Sequence, residues 1–304
     1  MLDACRPRTD ASTPARRLTR PEWQDLCGEW DLAFDDTGEG VAQQWQRRDD
    51  VFDRTIVVPF PFESPASGIG DTGHHPVVWY RRVVEASAAP GRRLLLHLGA
   101  VDYRAHVWVN GHAVAYHEGG HTPFTADITP TLDPSGRQVV VVRAEDSPTD
   151  LRQPRGKQDW QPEPHAIWYD RTSGIWQPVW LEEVPEARIR SLRWTPDVDA
   201  RSIGLAVRLR RDEHRGLRLR VVLRHHDEVV ADDTYLADSG EIERRITLVE
   251  HDMSLGHSRL LWTPESPEPD RRHAHAARRR RGGARRGGRT RRCAACRRPA
   301  TACC

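Results

Sequence analysis

Asn110-Gly111 is the feature that most narrows what this chain can fold into. It stands between two alternating runs, residues 104–109 and 112–116. Both turn residues tolerate the positive φ that a two-residue turn needs if its twist is to match the flanking strands, so the segment predicts a β-hairpin. The same short alternating pattern recurs at residues 55–58, 77–84, 93–98, 138–142 and 178–181, the signature of strands. Turn residues separate the runs at Ala89-Pro90-Gly91, Gly119-Gly120 and Asp133-Pro134-Ser135-Gly136. No window carries a helical stripe beyond two turns, and the predicted class is all-β.

Val184-Pro185 closes this first set, and a second follows at residues 188–194, 203–210, 217–223, 229–236 and 242–249. The first, larger set suits a jelly-roll sandwich, and the second suits a sandwich of immunoglobulin type. The predicted organisation is a disordered leader over 1–20, a jelly roll over 21–184, an immunoglobulin-like domain over 185–270 and a tail over 271–304. That tail contains no Leu, Ile, Val, Phe, Trp or Tyr. It cannot bury a core and is expected to be disordered. Its run of Arg, Ala, Gly, Pro and Cys is what a shifted reading frame in GC-rich coding sequence would yield.

The formal charge of +2 over 304 residues conceals a split. Thirteen of the 46 basic residues fall in the tail, which has no acid, so the body carries 33 basic against 44 acidic residues. A body of that sign repels phosphate backbones, which disfavours a nucleic-acid partner. The first twenty residues lack the apolar run of a signal peptide, and no stretch is long and apolar enough to span a bilayer. Cys5 and Cys27 are the only cysteines before the tail, too few for a disulfide framework. A cytoplasmic chain without a membrane partner is expected.

Several motifs are weaker than they look. His117-Glu-Gly-Gly-His121 has the zinc-protease spacing, but that chemistry needs both histidines on one helix. Two adjacent glycines would cost such a helix about 2 kcal/mol relative to Ala, and Thr122-Pro123 follows at once. Cys293-Ala-Ala-Cys296 sits in a stretch without a core to support a metal site. The Arg-Gly run at 278–289 lacks the interleaved aromatics that stack on bases. No Gly-X-Ser-X-Gly elbow is present. No metal or cofactor is expected.

Aromatic residues are more informative. Trp160, Trp168, Tyr169 and Trp176 crowd a Pro-rich segment with little strand character. Flat rings stack on the C–H faces of sugars while Arg, Lys and Gln satisfy hydroxyls. Arg155, Lys157, Gln158 and Trp160 are therefore candidate saccharide-binding residues, the alternative being that the loop rings pack against the protein. For Trp176 and Trp180 packing is the expectation.

An ordered set of words then resembles family-two glycoside hydrolases, the β-galactosidase and β-glucuronidase group. They are Gly28-Glu-Trp-Asp31, Val58-Pro59, Trp79-Tyr-Arg-Arg82, Leu98-Gly-Ala-Val-Asp-Tyr103, Val107-Trp-Val-Asn-Gly111, His117-Glu-Gly-Gly-His-Thr-Pro-Phe124, Asp127-Ile-Thr129 and Thr172-Ser-Gly-Ile-Trp-Gln-Pro-Val-Trp-Leu181. Leu261-Trp-Thr-Pro-Glu-Ser-Pro267 resembles a late segment of the family's second domain. The resemblance implies a sugar-binding jelly roll followed by an immunoglobulin-like domain that lacks its last strands.

The family's two catalytic glutamates sit in a third domain, a (β/α)₈ barrel, about 5 Å apart across the scissile bond. In the family the acid/base follows an Asn; here the sole Asn, Asn110, precedes Gly111. No catalytic residue is therefore assigned. The resemblance implies that the loop carrying Arg155, Lys157, Gln158 and Trp160 reaches over the barrel mouth and positions substrate. The expected partners are a β-glycoside carbohydrate and either a second copy of the chain or the missing barrel. A stand-alone lectin-like module is the alternative.

Overall fold

A computed structural model describes residues 23–248 except 162, 211–215 and 226–227, together with Pro264 and the backbone of 271–278 and 302–303. Two compact units meet in sequence at Val184 and Pro185. Strands are numbered in chain order.

In the first unit, β1 (Trp23–Asp25), β5 (Arg92–Leu98), β9 (Phe124–Asp127) and β12 (Val179–Pro185) form a sheet of order β1-β12-β5-β9. A second, six-stranded sheet has the order β3-β2-β4-β10-β7-β8. It comprises β2 (Gly28–Phe34), β3 (Arg54–Val58), β4 (Val77–Glu85), β7 (Arg104–Val109), β8 (His112–Glu118) and β10 (Arg137–Glu145). The short pair β6 (Val101–Asp102) and β11 (Gly174–Ile175) sets Asp102 opposite Gly174. The inner faces share one core that includes Trp30, Leu32, Val78, Tyr80, Leu96, Val107, Val140 and Val142.

Strands β4 and β10 also bury their outer face. Trp79 and Val141, with Ala33 and Val77, form a second cluster covered by Trp45, Phe52 and Trp108. Burial on both faces explains why Val77-Val-Trp-Tyr80 and Val139-Val-Val-Val142 are unbroken apolar runs. It also explains why β2 shows no clean alternation, since Leu32 points into one cluster and Ala33 into the other. The turn beside this cluster is held by Asp35, whose buried carboxylate accepts from the Glu39 and Gly40 backbone N–H groups and from Trp79 Nε1.

The Asn110-Gly111 hairpin is present, with φ of 52° and 76°. Asn110 is more than a turn residue. Its amide donates to the Thr131 carbonyl at 2.8 Å and to Gln138 Oε1 at 2.7 Å, and its oxygen accepts from the Val139 N–H.

The second unit has one sheet of order β13-β14-β17, from β13 (Arg188–Asp197), β14 (Ser202–Arg210) and β17 (Glu241–Thr247). Its other sheet contains β15 (Leu217–His225) and β16 (Glu228–Leu236). Leu205, Val207, Leu219, Val221 and Ile242 lie in its core. The sequence pattern predicts no order from Arg271 onward, yet the backbone of Arg271–Arg278 runs as β18, antiparallel to β15 from Leu217 opposite Arg278 to Arg224 opposite Arg271. Ala302–Cys303 adds a short β19 beside it. Ladder hydrogen bonds are made by backbone alone, and the far edge of β15 offers a row of them, so an extended backbone segment can add there. The remainder of the tail, the 1–20 leader and nearly all of the Leu261-to-Pro267 segment lie outside the described residues.

Candidate functional site

The chain leaves the jelly roll at the end of β10 and returns at β11, with residues 146–173 as one long excursion. Pro148, Pro154 and Pro164 cannot donate to a ladder, and Gly156 and Ala166 have positive φ of 61° and 53°. The segment therefore folds on local side-chain contacts. Asp159, 1% exposed, accepts from the backbone N–H groups of Gln161 at 2.9 Å and His165 at 2.7 Å, and from His165 Nδ1 at 2.6 Å. Burial alone would raise its pKa, but those backbone N–H groups and the imidazole outweigh it and hold the carboxyl below the usual range. The Asp159 N–H donates to the Tyr169 carbonyl and the Tyr169 N–H to the Lys157 carbonyl, both at 2.9 Å, closing the loop on itself.

These contacts set up an aromatic corner. Trp160 is 46% exposed and lies edge-on to Trp168 at 5.2 Å and 69° and to His165 at 5.2 Å and 88°. Tyr169 and Ile167 are exposed beside them.

The four candidate residues share this loop but not one environment. Trp160 and Lys157 are exposed. Arg155 is half-buried and donates to the Pro148 carbonyl at 2.9 Å. Gln158 turns inward: its amide nitrogen donates to Asp102 Oδ2 at 2.8 Å, and its oxygen accepts from the Thr172 N–H at 2.8 Å. Trp176 is half-buried and donates from Nε1 to the Gly120 carbonyl at 2.7 Å; Trp180 stacks on His97.

Three acids gather where the loop meets the jelly roll, and their meeting is not visible in the sequence. Glu63, Asp102 and Asp146 come from separate segments and converge on Thr172, Ser173 and Gly174. Glu63 accepts from the Ser173 N–H at 3.1 Å, and Asp146 accepts from Ser173 Oγ at 2.7 Å and from Gln153 Nε2. Burial raises Glu63 to about 7, against the Ser173 hydrogen bonds and the Arg171 charge. Burial, with the like charge of Asp146, raises Asp102 to about 7 against the Gln158 hydrogen bond. Asp102 falls within the Leu98-to-Tyr103 word, but nothing in that word joins it to Glu63 or Asp146.

The His117-to-His121 segment is the end of β8 and the turn after it, with His117 Nε2 paired to Thr122 Oγ1 at 2.8 Å and His121 against the Trp176 ring. Among the described residues no group of three or more His, Cys, Asp or Glu is arranged to hold a metal ion. No described helix is long and apolar enough to cross a membrane.

The first unit is thus a jelly-roll sandwich that carries an exposed aromatic corner on the loop 146–173. Residues 23–185 match the family model described as glycosyl hydrolases family 2, sugar binding domain, and the chain belongs to that family. The β-glucuronidase of Canis lupus familiaris is 30% identical over 201 residues, covering 59% of this chain and 31% of that protein. The β-glucuronidase of Paenibacillus borealis is 33% identical over 132 residues, covering 42% of this chain and 22% of that protein. The chain thus spans less than a third of either relative. The solved β-glucuronidase of Faecalibacterium prausnitzii superposes with a TM-score of 0.60 over 86% of this chain and 45% of its own, at 24% identity, a likeness of fold.

Proposed function

We propose that this chain is the non-catalytic, substrate-positioning front of a retaining glycoside hydrolase of the cytoplasm, acting on β-glycosides. The observation that carries the reading is the exposed Trp160 ring. It packs edge-on against Trp168 and His165 on a loop pinned by Asp159, and Lys157, three residues earlier, is also exposed. A held, exposed ring is suited to stack on a sugar face, and a neighbouring cation to meet hydroxyl or carboxylate oxygens. Arg155 and Gln158 shape the loop from within.

Glu63 and Asp102 have the raised pKa of a general acid, yet both are less than a tenth exposed and are hydrogen-bonded to the loop's own atoms. Carboxyls so buried and so engaged are poorly placed to reach a glycosidic oxygen, and bond cleavage is assigned to residues outside those described. The test is a titration of the chain with methyl β-glycosides, followed by tryptophan fluorescence. Saturable quenching that is lost in Trp160→Ala supports the reading, and quenching that persists unchanged in that variant counts against it.

A further inference from the structure

The loop is fastened to the rest of the jelly roll through two carboxylates, Asp102 and Glu63, and its own two ends are tied together through a third, Asp146. Near its middle, Gln158 is held by Asp102 of β6; at its return, Ser173 is held by Glu63 and Asp146; near its start, Gln153 is held by Asp146. Asp102 is 2% exposed, and its second oxygen, Oδ1, has no hydrogen-bond partner among the described residues; the same is true of Gln153 Oε1. A Cβ at Gly120 would fall 2.1 Å from Asp102 Oδ1, so that side of the carboxylate is closed by backbone. A buried carboxylate with one orphan oxygen is costly as an anion and much less so as a neutral acid.

We propose that Asp102 and Glu63 form a proton-operated latch, closed over a neutral acid and released when the acid ionises, that sets how firmly the aromatic loop is held on the sandwich. This holds whatever the loop binds, and so goes beyond the saccharide reading. The groups facing the latch come from several elements. Asp102 faces Asp146, which repels its anion, and Gln158, which favours it. Glu63 faces Tyr80 of β4, and on the loop Ser173 and Arg171, the latter engaged by the Thr72 and Gly73 carbonyls. Asp146 faces His74, whose own pKa is lowered by burial and by Arg171. Burial dominates at both latch acids and raises each to about 7.

When the loop lifts, water reaches the carboxylates and their pKa values return toward the ordinary value of about 4. The closed loop therefore holds protons that the open loop releases. Opening becomes easier as pH rises from about 4 to about 7 and changes little above that, by as much as tenfold per pH unit for each group.

The experiment is amide hydrogen exchange of the full chain at pH 5.5, 6.5 and 7.5, corrected for intrinsic rates. It compares residues 150–172 with β4 and β10. The expected result is at least about a tenfold rise in loop opening between pH 5.5 and 7.5 without a matching rise in the two strands. Asp102→Asn and Glu63→Gln, which imitate the neutral acids, should each reduce that rise. Loop protection independent of pH in the unaltered chain would overturn the latch, as would an undiminished rise in both variants. If a variant loses protection in β4 and β10, the carboxyl carbon shift of Asp102 in the unaltered chain decides instead. A midpoint near 7 supports the latch, and one near 4 overturns it.

Discussion

Gln158 donates to Asp102 at 2.8 Å while accepting from the Thr172 N–H, so one amide side chain joins the loop to the β6–β11 pair. Gln158→Ala would leave a buried carboxylate oxygen and a backbone N–H unpaired. A loss of about 1–3 kcal/mol is expected, measured as a lower urea midpoint, with faster proteolysis within residues 150–172. Lys157→Ala, on the exposed side of the same strand-like turn, should change stability by less than about 0.5 kcal/mol.

Trp160→Ala should separate recognition from folding. The ring is half exposed, so the urea midpoint should shift little, while affinity for a β-glycoside should fall roughly tenfold, about 1.4 kcal/mol. Fluorescence or calorimetric titration beside a denaturation curve would read both.

Gly40 lies where Asp35 and Trp79 leave no space. A Cβ there would stand 2.6 Å from Asp35 Oδ2 and 2.7 Å from Trp79 Nε1. Gly40→Ala should therefore cost about 1–3 kcal/mol by overpacking, and Asp35→Ala a similar amount by stripping Trp79 Nε1 and two backbone N–H groups of their acceptor. Thermal or urea unfolding of the two variants checks this.

Much of the fold was legible because its signals are local. Asn110-Gly111 announces its hairpin through the conformations those two residues tolerate, and the strands with one wet face announce themselves by alternation. Strand β2 was not legible, because Leu32 and Ala33 are both buried and the period of two disappears. Nor was β18, whose backbone adds to the edge of β15. At the site, Trp160 and Lys157 were visible as residue types in a Pro-rich stretch. The inward turn of Gln158 was not, because Asp102 reaches it only through the pairing of β6 with β11. Glu63, Asp102 and Asp146 likewise meet only in three dimensions.

The raised pKa of Glu63 gives stability a pH dependence of known sign. Its folded value of about 7 exceeds the unfolded value, so the native state holds the proton more tightly. This contribution is fully present below the unfolded pKa near 4, falls as pH rises, and is lost above about 7. Groups held low, such as Asp159, act in the opposite sense. The quantity to measure is therefore the difference between the urea midpoints of the unaltered chain and Glu63→Gln. The variant should gain relative stability as pH goes from 5 to 7.5.

Hydrolysis of a panel of p-nitrophenyl β-glycosides tests most directly whether this chain positions sugar without cleaving it. The purified 304-residue chain would be assayed beside an equimolar full-length β-glucuronidase as positive control. Turnover by the control alone is the expected result. Turnover by the 304-residue chain itself, abolished by Glu63→Gln or Asp102→Asn, would contradict it and make the buried acids catalytic.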